Sequence, residues 1–156
     1  MTARDSVARK ASAPGARHGS GERLVVISIP SQPDRLRVVR AAVAEAAIAS
    51  GCSETCVHDI VLAVDEACQN IIRHAYRGDP TREIVLEVSR DGDRIVFDLL
   101  DFAEPVDASQ IKPRSLDDLR PGGLGTHFIK ECMDETEYPP PPEGAGNLFR
   151  MVKRIS

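Results

Sequence analysis

Residues 83–100 restrict the fold more than any other part of this 156-residue chain. Glu83 to Ser89 (EIVLEVS) and Arg94 to Leu100 (RIVFDLL) each alternate apolar and polar side chains, the period of a strand with one buried face. Arg90-Asp91-Gly92-Asp93 between them leaves room only for a tight turn, so the two strands form an antiparallel hairpin. Two helical patterns precede the hairpin directly. The first is opened by Ser31 as a cap, with Pro33 and Asp34 in its first turn, and repeats Leu36, Val39, Val43 and Ala47 on one face until Gly51 stops it. The second starts at Ser53-Glu54 and runs to near Tyr76. A β-branched stretch, Arg23 to Ile29, ends at Pro30 and supplies a first strand. After the hairpin come a polar loop over about 108–121, a short helix from Thr126 to Met133, a strand over Asp134–Tyr138 and a closing strand over Asn147–Ile155. The order is β-α-α-β-β-loop-α-β-β. Helices grouped in sequence beside hairpin-linked strands predict an α+β fold, a two-layer α/β sandwich, and not a parallel α/β sheet.

The second helix carries the most chemistry. At 100° per residue Val57, Ile60, Val61, Val64, Cys68, Ile71 and Ala75 fall on one side, and Asp59, Ala63, Glu66, Asn70 and Arg73 on the other. Glu66 and Asn70 are four apart and therefore neighbours on one surface. A carboxylate and a carboxamide on a rigid element can hold a proton acceptor and a metal ligand in fixed relation. An isolated pair of this kind is also what any solvated helix face presents.

Composition narrows the function classes. The chain suits one domain (residues 22–156), preceded by a basic, Ala-, Ser- and Gly-rich stretch, residues 1–21, that reads as a disordered tail. A net charge of −4 gives no electrostatic reason for direct nucleic-acid binding. No run approaches a membrane span, and the N-terminus lacks the apolar core of a secretory signal. The four cysteines (Cys52, Cys56, Cys68 and Cys132) lack zinc-site spacing and read as reduced thiols of a cytoplasmic protein. Pro139 to Gly146 (PPPPEGAG) reads as a loop that does not pack.

Two further signals are weak alone. Gly122-Gly123-Leu124-Gly125 precedes the short helix, where bare backbone N–H groups and a helix N-terminus attract an anion. The pattern is neither a P-loop nor a dinucleotide fingerprint. Asp101, at the end of an apolar strand, needs a donor partner. An exocyclic amine of a base or a backbone N–H of the following turn would each serve.

Taken in order, Glu66-x-x-x-Asn70, then Asp101-Phe102-Ala103-Glu104-Pro105, then Gly122-Gly123-Leu124-Gly125 resemble the three nucleotide boxes of the GHKL (Bergerat) ATP-binding superfamily. Within it, DEACQNIIRHAY is similar to the E-A-x-x-N-x-x-x-H-A-Y of the anti-sigma-factor serine-protein kinases, and the likeness extends over residues 22–155. The resemblance implies a mixed, mostly antiparallel sheet of about five strands with three helices on one face. It implies ATP and Mg²⁺ as cofactors, with Asn70 as the Mg²⁺ ligand and Glu66 as the general base for a serine hydroxyl. Asp101 would accept from the adenine amine, and Gly123, Leu124, Gly125 and Thr126 would wrap the phosphates beneath a lid formed by 108–121. His74 and Tyr76 would support the helix end. The implied partners are a STAS-type anti-anti-sigma protein and a sigma factor or similar regulated protein, with a possible homodimer. The chain departs from the pattern at Ala103, where glycine is usual. If that backbone needs φ > 0, a Cβ costs on the order of 1 kcal/mol and weakens ATP binding. The function expected is Mg-ATP-dependent phosphorylation of a small antagonist protein; the alternative is a non-catalytic nucleotide- or partner-binding module of the same fold.

Overall fold

A computed structural model describes residues 21–105 and 121–155, and the side chains of 121–125 lie outside the description. The strands are β1 (Glu22–Pro30), β2 (Glu83–Asp91), β3 (Arg94–Asp101), β4 (Glu135–Glu137) and β5 (Asn147–Arg154). They form one sheet in the order β1-β2-β3-β5-β4. Every pairing among the described residues is antiparallel, where the resemblance implied a mixed, mostly antiparallel sheet. The helices are α1 (Leu36–Ala49), α2 (Glu54–Asn70) and α3 (Pro121–Cys132). α2 packs against α1 on one side and α3 on the other.

The hairpin turns tighter than four residues. Asp91 pairs with Arg94, which leaves Gly92-Asp93 as a two-residue turn with Gly92 at φ +61. Glycine at the first position of such a turn matches the twist of the flanking strands without a Cβ clash. Ser53 caps α2 as expected, its Oγ accepting from the Cys56 N–H at 3.2 Å. Ser31 does not cap α1: a 3₁₀ turn, Pro33–Arg35, intervenes, Gln32 precedes it without a side-chain cap, and the buried Ser31 Oγ has no hydrogen-bond partner.

The core lies between sheet and helices, where Val88, Ile95, Phe97 and Met151 meet Ile60, Val64 and Cys68 of α2. Ala63, expected on the polar side of α2, is fully buried. A helix flanked on both sides by helices and backed by a sheet keeps only a narrow strip of solvent-facing surface. On the opposite face of the sheet Arg150 is 3% exposed and bonds Asp98 bidentately at 2.8 and 2.9 Å.

Lys153 fastens the end of α3. Its Nζ donates to the Cys132 carbonyl at 2.6 Å and lies 3.4 Å from Asp59 of α2. A cation at a helix C-terminus complements the unpaired carbonyls there. The helix layer is thereby tied to the strand that borders the cavity described next. No described helix is long and apolar enough to cross a membrane.

Candidate functional site

A cavity of ≈ 720 Å³ opens between the C-terminal half of α2, α3 and the ends of β3 and β5. That is the size range of small-molecule and cofactor sites. Ala67, Asn70, Ile71 and His74 line it from one stripe, spaced at three and four residues. The α-helix gives way at Ile71 to a π turn, Ile71–Ala75, so the expected helix to Tyr76 is widened over its last residues. Arg77 (φ +50) and Gly78 (φ +79) then close it, with the Gly78 N–H on the Ile72 carbonyl at 2.8 Å.

Asn70, the last residue of α2, points its carboxamide into a buried position. Oδ1 is inaccessible to solvent and has no hydrogen-bond partner. An orphaned buried acceptor costs roughly 1–3 kcal/mol, a cost that a ligand donating to this oxygen or coordinated by it would offset. A neutral oxygen donor suits a hard divalent cation such as Mg²⁺, which keeps several waters and takes few protein ligands. Among the described residues no group of three or more His, Cys, Asp and Glu is placed to hold a metal, and all four cysteines are free. A single neutral oxygen would fit a cation that takes most of its ligands from elsewhere.

Glu66 lies one turn earlier but does not line the cavity. Its Oε1 is 3.3 Å from Arg73 Nη2, on the partly exposed side of α2. Its neighbour Asp65 is held by Arg40 at 2.7 Å and by Gln69 Nε2 at 2.6 Å. Of the two residues the sequence places side by side, only Asn70 reaches the cavity wall.

Asp101 is buried at the cavity floor. Its Oδ1 accepts from the Ala103 N–H at 3.1 Å and from Asn147 Nδ2 at 2.9 Å. The turn behind it is gripped from several directions. Tyr76 Oη accepts from the Phe102 N–H at 2.7 Å and donates to the Glu83 carbonyl. Arg82 donates to the Phe102 carbonyl at 2.6 Å and lies over the Tyr76 ring. Burial raises the Tyr76 hydroxyl's pKa, so it stays a protonated donor. Gly146 donates to the Asp101 carbonyl at 2.9 Å. Ala103 is not in the left-handed region: Arg77 is the one non-glycine residue with positive φ among those described. The strain expected from a missing glycine is absent, and Pro105, not Glu104, contributes to the lining.

Apart from Thr126, the remaining wall residues were not singled out from the sequence. Pro139, Pro140 and Pro141 border the cavity, so the proline run is a rigid wall and not an unpacked loop. Tyr138 beside it stacks on Phe149 with centroids 4.8 Å apart. Thr126 and Lys130 line the opposite side from α3. That helix begins at Pro121, not Thr126, so Gly122, Gly123 and Gly125 belong to its first turns and not to a preceding loop. Residues 1–20 and 106–120, which include most of the expected tail and most of the expected lid, lie outside the described residues.

Residues 29–153 match the histidine kinase-like ATPase domain. The chain belongs to the histidine kinase-like ATPase family. Its antiparallel sheet with three helices on one face is that family's α+β fold. Among relatives, it is 32% identical over 139 residues to serine-protein kinase RsbW of Halalkalibacterium halodurans, covering 83% of this chain and 82% of that one. With serine-protein kinase RsbW of Bacillus subtilis strain 168 it shares 27% over 119 residues, 71% and 74% of the two chains. The crystal structure of the RsbU and RsbW domains of Rv1364c from Mycobacterium tuberculosis superposes with a TM-score of 0.58 at 17% identity. That likeness covers 84% of this chain and 31% of the other, and it establishes the fold.

Proposed function

We propose that the chain is an ATP-dependent serine-protein kinase of the anti-sigma type, acting on a small STAS-type antagonist and releasing or capturing a sigma factor or similar partner as the antagonist's phosphorylation changes. The observation that carries this reading is one cavity lined both by Asn70, whose buried Oδ1 has no hydrogen-bond partner, and by the buried Asp101. An acceptor for an exocyclic amine and a hard oxygen for a phosphate-bound cation are what an adenine nucleotide requires. The relatives named serine-protein kinase supply the reaction class.

In this reading ATP lies with its base against Asp101 and its phosphates toward Asn70, Thr126 and the glycines Gly123 and Gly125 with Leu124. Mg²⁺, held by Asn70, would neutralise charge on the phosphates. The substrate serine Oγ attacks the γ-phosphorus. The Oγ–P bond forms, the bond from phosphorus to the β–γ bridging oxygen breaks, and ADP leaves. Glu66 takes the hydroxyl proton. Its present tie to Arg73 means that the carboxylate has to swing toward the cavity mouth when the substrate docks, a rotation open to a side chain that is 23% exposed. That same tie favours the second reading, a nucleotide- or partner-binding module without catalysis.

Incubating the full chain with Mg-ATP labelled at the γ-phosphate and a STAS-type protein separates the two. The kinase reading requires phosphoserine on the antagonist, lost in Glu66→Gln while nucleotide binding persists. Binding without transfer in the unaltered chain leaves the module; transfer surviving in Glu66→Gln removes Glu66 as the base.

A further inference from the structure

Two adjacent carboxylates on α2 are held in different ways. Asp65 is gripped by short bonds, 2.7 Å from Arg40 Nη1 and 2.6 Å from Gln69 Nε2. Glu66 has one side-chain partner among the described residues, Arg73 Nη2 at 3.3 Å. The Arg73 side chain is 47% exposed, and its Nε donates to the Gln69 carbonyl at 3.4 Å. Arg73 sits inside the π turn, three residues beyond Asn70 and next to His74. Asn70 and His74 line the cavity; Glu66 and Arg73 do not.

A guanidinium carries five N–H donors in a planar fork that fits a carboxylate on two parallel bonds. Arg73 gives Glu66 only one bond, at the long end of hydrogen-bond range, and its other described bond goes to a backbone carbonyl. An exposed ion pair of this kind is weak and exchanges readily. A second carboxylate that arrives square to the fork makes two bonds where Glu66 makes one, and so displaces it. A serine-bearing segment laid over the cavity mouth carries the side chains within about two residues of the serine, about 7 Å of extended chain, across the turn that holds Arg73. Aspartate or glutamate there meets the guanidinium. Lysine or arginine there meets like charge and leaves Glu66 where it is.

We infer that Arg73 is a positioning residue that exchanges one carboxylate for another: it parks Glu66 outside the cavity until an acidic side chain beside the acceptor serine takes its guanidinium, so the substrate class is a serine flanked by Asp or Glu. The inference rests on the reading of Glu66 as the base. It adds to that reading what releases the base and which serines are accepted. The bond that Glu66 gives up is replaced by one from the substrate, so the base is freed only when an acceptable serine is in place.

The test is a double-mutant cycle on phosphoryl transfer from Mg-ATP by the full chain. The substrate is the STAS-type protein, with its phosphoserine mapped by mass spectrometry and the acidic residue nearest that serine changed to the corresponding amide. With the unaltered antagonist, Arg73→Gln should raise KM by on the order of tenfold and leave kcat within about threefold, because Glu66 is intact. The amide antagonist should lower kcat/KM by a similar factor with the unaltered chain, and by no more than about twofold with Arg73→Gln, since the two changes break one contact. Arg73→Lys, which keeps the charge but not the fork, should recover part of the loss in KM. Equal losses from the amide change in both chains, or a fall in kcat with KM unmoved in Arg73→Gln, overturn the inference, because a merely loosened helix end would not make the two changes non-additive. An acceptor serine with no acidic side chain within two residues overturns it as well. No transfer by the unaltered chain removes the kinase reading and the inference with it; transfer with additive losses leaves the kinase reading and removes only the role of Arg73.

Discussion

Gly146 offers the sharpest test of how the site is held. A Cβ built on it would lie 1.8 Å from the Ala103 carbonyl oxygen and 3.0 Å from its carbon, both backbone atoms. No rotamer relieves such a clash; the 101–103 turn has to move away from β5 by roughly 1 Å in a close-packed region. That displacement strains or breaks the 2.9 Å bond from the Gly146 N–H to the Asp101 carbonyl. Overpacking contributes about 1–3 kcal/mol and the lost hydrogen bond about 1, so Gly146→Ala should destabilise by about 2–4 kcal/mol. For a domain of this size that lowers the melting temperature by on the order of 10 °C. Gly144→Ala is the matched control. Gly144 has φ +92 but nothing within 4 Å of its Cβ position, so only backbone strain of about 1 kcal/mol applies. Urea and thermal unfolding of the two variants give the comparison. If Gly146→Ala costs no more than Gly144→Ala, the close approach that anchors the Asp101 turn is wrong.

Replacing Asn70 by Leu should separate stability from binding. Removing an unsatisfied buried oxygen leaves the unliganded fold as stable or up to about 1–2 kcal/mol more stable by chemical unfolding, while Mg-dependent nucleotide binding disappears; a less stable variant that still binds would contradict the role given to Oδ1. Alkaline pH should weaken the fold through Cys68, whose burial pushes its pKa from 9.0 up to about 12. Above pH 9 the unfolded chain releases this proton and the folded one keeps it, so the unfolded state binds fewer protons and stability falls as pH rises toward 12. Unfolding free energies measured under reducing conditions between pH 9.5 and 11 should lose up to about 1.4 kcal/mol per pH unit more in the unaltered chain than in Cys68→Val, and equal slopes would refute the assignment.

The elements were legible because each obeys a single period. The hairpin alternates over 83–100, and α2 repeats at three and four residues from a serine cap. Asp101 was singled out because a polar group at the end of an apolar strand must find a partner, and Asn70 because it falls one turn from Glu66 on the polar side of its helix. What the sequence hid depends on contacts between distant segments. Ala63 is buried because α3 packs beside α2, and small residues carry no sign of which neighbour they meet. Glu66 is absent from the cavity lining and its carboxylate lies 3.3 Å from Arg73, a pairing between side chains seven apart that spacing alone does not announce. The proline run becomes a wall only once β5 lies between β3 and β4, and Gly146 reads as loop filler until the Ala103 carbonyl arrives above it. Asn147 could have been found by asking which strand pairs with the end of β3, since its amide is the donor that Asp101 needed.

The central claim, that the cavity between Asn70 and Asp101 holds ATP through a cation, is tested most directly by titrating the full chain with ATP in the presence and absence of Mg²⁺, beside Asn70→Ala. The account predicts saturable binding with Mg²⁺, weaker by at least about tenfold when Mg²⁺ is chelated, and loss of that Mg²⁺ dependence in Asn70→Ala. No binding by the unaltered chain, or binding with a Mg²⁺ dependence that survives in Asn70→Ala, would contradict it.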